Sequence, residues 1–469
     1  MSRPRVLLTL VWCLAVLPAA AAAQTTNQPG PPSTLTLEQA IQYAAEHYPT
    51  VRAAIEHVNA STANVDVARS AYLPRLDSLW QSSRATANNI FGQVLPQNVV
   101  PALTGPVLAS ASAESVWGST VGALFAWEPF DFGLRHASVA SAEAALTQAR
   151  AGESLTRLDV QAAVATAFLG VAAAEREVVA AQADRDRRNV LLQSVQTLVD
   201  NQLRPGADQS RVEAERAAAQ TRLIQAQQTL AVAQATLTRV LGASPGGMTI
   251  VADALITRLP AGDITPATAS AHPLSQVRQA SVDQARAEQE VLAGTDRPRV
   301  FVQSSVFARG SGANADGVFD GGLGGLGLQR ANWAAGVEIL FPNVFDFTSL
   351  RARKVAAAAT ARASTALYDE ALLTVASEQQ TAAAILQAAR AIAVNTPIQL
   401  AAARQSEMQA RARYDAGLAT MVEVADAQGL LAQADVQDQL ARVDVWRALL
   451  AAAVARGDLG PFLAILRQP

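Results

Sequence analysis

The chain has 469 residues, of which 50% are hydrophobic, 5% aromatic and 16% charged, and its formal net charge at pH 7 is −3. A slightly acidic chain with no basic cluster does not favour a nucleic-acid-binding protein. A single cysteine, Cys13, excludes a disulfide framework.

The first 23 residues have the pattern of a secretory signal peptide. Arg3 and Arg5 precede an apolar run over residues 6–17, and the alanines at 21–23 suit a cleavage site. Removal of this segment leaves a net charge of −5 and no cysteine. The residues before Cys13 match a lipoprotein-processing site poorly, so we expect an unlipidated, exported protein.

The rest of the sequence repeats itself at long range. Pro49 precedes Pro74 by 25 residues, and Pro273 precedes Pro298 by the same 25. Such a long offset between the two pairs is not a solenoid period. It predicts two copies of one large unit.

A second landmark supports the duplication. Phe130-Asp131-Phe132 returns as Phe345-Asp346-Phe347, at an offset of 215 residues. We therefore predict two repeats, residues 24–245 and residues 246–469, built on one architecture.

Each repeat is predicted to begin with a helix that gives way to strands. Residues 36–72 contain no glycine and place Leu37 and Ile41 at helical spacing, so we expect one helix that is re-entered after Pro49. Pro74 ends it, and the pattern then changes to a period of two. The predicted strands are 75–90 and 115–128 in the first repeat, and 299–309 and 332–341 in the second.

The second repeat shows the alternation most clearly. Trp333, Val337 and Phe341 share one face of the predicted strand, while Ala334 and Glu338 share the other. Strands of this length can cross an outer membrane when they are tilted. Because the mature chain shows no run of 18 apolar residues, we expect that any membrane crossing is made by strands.

After each pair of strands the sequence predicts a very long helical hairpin. Residues 134–200 and 349–415 each predict a helix on the order of 100 Å long. Each helix turns sharply, at 203–206 and 416–418, and returns over about 208–242 and 420–456. The predicted fold is thus mainly α with membrane β, a duplicated order of helix, β-hairpin and long helical hairpin.

Four strands are too few to close a membrane barrel, and an open sheet edge in lipid is very costly. We therefore expect several copies to join their strands into one barrel. The long helices would then form a helical tube beneath it.

The run Tyr-Asp-Ala-Gly-Leu-Ala-Thr-Met-Val-Glu-Val-Ala-Asp-Ala over residues 414–427, together with the duplication and the prolines, resembles the TolC-like outer membrane efflux proteins. The resemblance covers essentially the whole mature chain. It implies a homotrimer with a 12-stranded β-barrel in outer-membrane lipid, continuous with a periplasmic α-helical barrel. It also implies docking to a periplasmic adaptor protein and, through it, to an inner-membrane pump.

The resemblance assigns an acidic periplasmic aperture. Glu423 and Asp426 match the family's ring of carboxylates, Tyr414 matches the gate tyrosine, and Asp208 matches the acid of the first turn. Three copies would favour cations at a narrow entrance. An alternative for Glu423 and Asp426 is support of a helix start, and Asp208 also suits an ordinary capping position.

The resemblance also assigns surfaces that meet the adaptor. Gly417 and Leu418 match the second periplasmic tip, and Leu203 is their counterpart in the first repeat. Two positions depart from the family pattern. Ala419 stands where an arginine bonds across the gate, and Gln202 replaces a glycine, so we expect the closed state to be held differently.

Four residues mark the predicted junctions between helix and strand. Pro74 and Pro298 stand where a helix passes into a strand. Asp131 and Asp346 stand where a strand passes into a long helix, and we expect both to cap that helix.

Other functional classes fit the sequence poorly. It has no His-Glu-x-x-His motif, nucleophile elbow or phosphate-binding loop, so we expect neither catalysis nor a cofactor or metal. A periplasmic coiled-coil adaptor that forms no channel is one alternative. Within the channel class, we expect an exit duct for small molecules in a tripartite efflux system, and type I protein secretion is the other possibility.

Overall fold

A computed structural model of the chain describes residues 34–86, 113–243, 249–252, 255, 259–260, 262–314, 318–342 and 347–467. The predicted signal peptide with Cys13 lies outside the described residues. So do Asp346 and the last part of the first predicted strand, residues 87–90.

The helices follow the same order twice. Those of the first repeat are α1 Leu37–His47, α2 Pro49–Ser70, α3 Leu134–Asp200 and α4 Gly206–Leu241. Those of the second are α5 Pro273–Gly294, α6 Phe347–Asp415, α7 Met421–Arg456 and α8 Gly460–Arg467. α2 and α5 both have 22 residues and begin with a proline, which suits the first helical position because its N–H would be unpaired there.

The long helices agree with their sequence patterns. The prediction over residues 134–200 is confirmed, and the second long helix begins at Phe347, two residues before its predicted start. The break near Pro49 is sharper than a re-entry, because Tyr48 has an extended backbone that separates α1 from α2. A residue before proline is driven out of the helical region by the proline ring.

The strands form one large sheet and one small one. β1 Thr34–Leu35 pairs in parallel with β4 Thr249–Ile250. The large sheet contains β2 Arg75–Thr86, β3 Ser115–Phe130, β5 Arg299–Ser311 and β6 Arg330–Leu340. Its order is β2-β3-β5-β6, antiparallel throughout, so the hairpins of the two repeats join through β3 and β5.

One face of this sheet is apolar and exposed. Trp80 lies opposite Val121, and Val306 lies opposite Trp333, with 78% of each tryptophan exposed. The other face carries polar side chains such as Gln303, which is buried. The sheet of one chain is open, because within the described residues neither β2 nor β6 has a partner on its outer side.

The main apolar core lies where the helices of both repeats meet. It includes Phe168 of α3, Trp446 of α7 and Phe462 of α8, whose ring meets Trp446 edge-on at 6.0 Å between centroids. Among the described helices, α3 alone has an 18-residue window that is long and apolar enough to span a membrane, and 61% of that window is buried. The sequence analysis expected no such segment.

Candidate functional site

The two long hairpins end in turns of the same construction. We call residues 201–205 the first tip and residues 416–420 the second tip. In each, a leucine N–H donates to the carbonyl five residues earlier, over 2.9 Å for Leu203 and 2.8 Å for Leu418. This hydrogen bond is typical of a Schellman ending and satisfies a free carbonyl at the end of a helix. The two leucine side chains are 68% and 71% exposed.

The residue before each leucine has a left-handed backbone. Gly417 has a φ of 76°, and Gln202 has a φ of 62°. Glycine adopts this conformation freely, whereas a side chain crowds the following carbonyl. The replacement of glycine by Gln202 therefore leaves the shape of the turn unchanged and adds local strain to the first tip.

Three side chains join the two tips, and we call them the tip latch: Arg204, Asp208 and Tyr414. The Tyr414 hydroxyl donates to Asp208 Oδ2 over 3.1 Å. The Arg204 guanidinium lies 4.2 Å from the centroid of the Tyr414 ring, and its Nη2 donates to the Tyr414 carbonyl oxygen. Stacking of a cation on an aromatic face is attractive. The latch thus connects residues that are more than 200 positions apart.

Tyr414 is the centre of the latch and only 1% of it is exposed. Burial, reinforced by the negative charge of Asp208, raises the pKa of Tyr414 to about 12. The phenol is therefore a neutral hydrogen-bond donor at physiological pH. The ring is packed in an apolar cluster with Leu191, Val195, Val212, Ala419, Met421 and Val424.

The arginine of the latch comes from the first tip. Ala419, where the resemblance would place a gate arginine, is 8% exposed and belongs to the apolar cluster. Arg204 supplies a cation to Tyr414 from the opposite side. The sequence analysis did not select Arg204, although its position beside Leu203 in the predicted turn was the available signal.

The acid of the first tip faces the second tip. Asp208 is in the first turn of α4, but no side-chain hydrogen bond caps this helix. Its carboxylate instead accepts the Tyr414 hydroxyl.

Glu423 and Asp426 are both exposed in the first turns of α7. Glu423 forms a capping box, in which its Oε1 accepts from Thr420 N over 3.2 Å and its own N–H donates to Thr420 Oγ1 over 3.4 Å. Its other oxygen lies 3.7 Å from Arg413 Nη1. Asp426 has no ion pair within the described part of the chain. Glu423 therefore supports the helix start, and both carboxylates also face solvent near the second tip.

The junctions between helix and strand are ordered by local contacts. Pro74 and Pro298 directly precede β2 and β5. Asp131 is buried and accepts from the backbone N–H groups of Gly133, over 3.0 Å, and Arg135, over 2.6 Å. It also accepts from Arg135 Nε over 2.8 Å. These bonds fix the direction in which α3 leaves the sheet.

Long helical hairpins with joined tips, carried below a sheet with one exposed apolar face, define the class of outer membrane channel proteins. The pattern of the family described as "Outer membrane efflux protein" matches residues 40–243 and 267–457. The chain belongs to this family, which confirms the resemblance to TolC-like proteins. It is therefore an outer membrane efflux channel with a helical extension into the periplasm.

Individual proteins agree with this assignment. The chain is 27% identical over 455 residues to Protein CyaE of Bordetella pertussis, covering 94% of this chain and 88% of that protein. It is similar in fold to the outer membrane protein VceC of Vibrio cholerae, with a TM-score of 0.71, 19% identity and coverage of 90% and 96%. It is also similar to the open state of the MtrE outer membrane channel of Neisseria gonorrhoeae, with a TM-score of 0.71, 18% identity and coverage of 90% and 89%.

Proposed function

We propose that three copies of the chain form one continuous duct, with twelve strands in the outer membrane and a helical barrel in the periplasm. The duct is the exit channel of a tripartite efflux system that passes small molecules. The carrying observation is the open sheet, apolar on one face, with free edges at β2 and β6. Pairing β6 of one copy with β2 of the next removes both edges from lipid.

Paired cysteines test the closure of the ring. β2 and β6 are separated by three strand spacings, about 14 Å in all. A disulfide requires Cα atoms within about 7 Å. A bond between these two strands must therefore join different copies.

In the experiment, Ser78→Cys on β2 is combined in turn with a cysteine at outward positions of β6: Ala331, Ala335 and Val337. Oxidation in membranes is expected to give covalent species of up to three copies and no larger. The matched control pairs Ser78→Cys with Ala123→Cys, which lie opposite each other within one chain, and should give only single chains. A ladder that ends at two copies, or that continues beyond three, would contradict the trimer.

The proposed aperture consists of Glu423, Asp426 and the latch residues Tyr414 and Asp208. Three copies supply six exposed carboxylates from Glu423 and Asp426 near the second tips. Carboxylate rings attract cations. In planar bilayers, Glu423→Gln/Asp426→Asn should therefore lower cation selectivity. Because Glu423 also caps α7, Asp426→Asn alone is the sharper variant, and unchanged selectivity in both would remove the acids from the aperture.

The proposed adaptor-docking surface consists of Leu203, Gly417 and Leu418. Both leucines are exposed at the ends of equivalent turns, so each copy offers two similar apolar positions. Leu203→Asp and Leu418→Asp should each weaken co-purification with the adaptor and leave the trimer intact. Leu323→Asp, which is equally exposed in the β5–β6 connection, is the matched control. Equal loss in all three variants would contradict docking at the tips.

Transport in cells decides between small molecules and proteins. A strain that lacks the protein is expected to accumulate a fluorescent efflux dye, and the wild-type gene should restore its removal. An unchanged dye level together with loss of an exported protein from the medium would favour protein secretion instead.

A further inference from the structure

A cluster of cations lies below the sheet on one repeat only. α6 begins with Arg351 and Arg353, both exposed, and Lys354, the one lysine of the chain. Residues 347–360 contain no acid. The counterpart of Arg351 in the first repeat is Arg135, which is buried in an ion pair with Asp131.

A cleft of about 370 Å³ opens beside these cations. Lys354 Nζ lies 3.0 Å from Asp296 Oδ2, and both groups remain partly exposed. Arg351 makes no ion pair with any described residue. The walls are otherwise apolar, formed by Leu350, Val355 and Ala358.

The cleft lies directly below the part of the sheet that faces lipid. Arg299 pairs with Leu340 at the helix end of β5 and β6, and Asp296 and Arg351 lie just beyond these two strands. Ile339, at 58% exposed, and Phe341, at 62%, extend the apolar face down to this level. Lys354 is seven residues into α6, about 10 Å along its axis. A headgroup layer is several ångströms deep, and long basic side chains reach towards it.

We propose that this cleft binds the phosphate headgroup of an anionic phospholipid in the periplasmic leaflet of the outer membrane. Arg351 and Lys354 contact the phosphate, and Arg353 adds positive charge beside it. The acyl chains lie along Ile339 and Phe341. The site rests on the outer-membrane position of the sheet, and it requires neither the gate nor the adaptor.

The test is native mass spectrometry of purified trimers taken from vesicles of phosphatidylcholine mixed with phosphatidylglycerol. Each basic side chain near an anionic surface contributes roughly a five-fold preference. Arg351→Gln/Arg353→Gln/Lys354→Gln is therefore expected to lower the retained ratio of phosphatidylglycerol to phosphatidylcholine at least about ten-fold. Asp296→Asn frees Lys354 and should raise the same ratio.

The matched control removes three exposed arginines that lie farther from the sheet: Arg216, Arg362 and Arg404, each changed to Gln. It should retain the wild-type lipid ratio. An equal fall in both triple variants would reduce the effect to net charge, and no fall in either would overturn the site.

Two further readouts separate a lipid site from a contact between copies and from a simple anion site. If the Arg351 triple variant loses its trimers in pure phosphatidylcholine, the cations contact a neighbouring copy, which overturns the proposal. Competition of the bound lipid by inorganic phosphate alone would overturn it in favour of a simple anion site. Single-channel conductance should remain at the wild-type level, so a failure of the lipid site is distinguishable from a failure of the duct.

Discussion

Arg204→Ala should open the periplasmic entrance. Removal of the guanidinium takes away both the stacking on Tyr414 and the hydrogen bond to its carbonyl oxygen. Stacking of this kind contributes about 0.5–2 kcal/mol, and a hydrogen bond from a charged group about 1.5–3 kcal/mol. Arg204 is partly exposed, so the lower ends of these ranges apply and give a combined ~2 kcal/mol.

This free energy becomes a change in gating if the tips separate when the entrance opens. A loss of ~2 kcal/mol raises the ratio of open to closed states roughly 30-fold for each copy. Single-channel recording in planar bilayers measures this ratio as the fraction of time spent at high conductance. Tyr414→Phe keeps the stacked ring and loses the hydroxyl bond to Asp208, so it should give a smaller increase.

A second substitution tests whether the position of the cation matters. Arg204→Ala/Ala419→Arg places the arginine on the second tip, and it should restore part of the closed state. Arg404→Ala removes an exposed arginine of α6 and should leave gating unchanged. If Arg204→Ala forms stable trimers and its open fraction equals that of the wild type, the latch does not hold the entrance.

Three further predictions concern stability. Gln202→Gly should stabilise the first tip by about 0.5–1 kcal/mol in denaturant unfolding because it relieves the left-handed backbone, and Gly417→Gln should have the opposite effect. Because the folded pKa of Tyr414 is raised to about 12 from an ordinary value near 10, the folded tip binds a proton that the unfolded chain releases. Its stability should therefore fall as the pH rises from about 10 to about 12, and hydrogen exchange at the tips should show no such fall in Tyr414→Phe. Asp131→Ala leaves the Arg135 guanidinium buried and unpaired, so it should cost about 3–5 kcal/mol, and Asp131→Ala/Arg135→Met should recover most of this loss in the same unfolding assay.

Much of the fold could be predicted because its elements are specified by local patterns. The limits of α3 follow from an uninterrupted helical composition between the turn after β3 and the turn at Pro205. The alternation around Trp333 indicated a strand with one apolar face, and this face is exposed in the structure. Local signals were less complete at Tyr48, where the effect of the following proline divides one predicted helix into two.

The candidate site was predicted only in part. The motif over residues 414–427 drew attention to Tyr414, and the offset between the repeats led from there to Asp208. Arg204 was missed because an arginine in a turn has no local pattern that distinguishes a solvated side chain from one stacked on a ring. For Glu423, one Thr-x-x-Glu sequence supports both a capping box and an acidic aperture, and the two roles use the same carboxylate.

The sequence by itself determined the duplicated order of helices and strands, the turns and the apolar face of the sheet. Helical hydrogen bonds span four residues and side chains alternate along a strand, so these features are specified within short segments. Only the tertiary structure decided that β3 pairs with β5, and that Arg204 and Asp208 meet Tyr414 across two hairpins. These contacts join residues 170 to 210 positions apart, where the packing of the long helices, rather than any local pattern, sets which side chains come together.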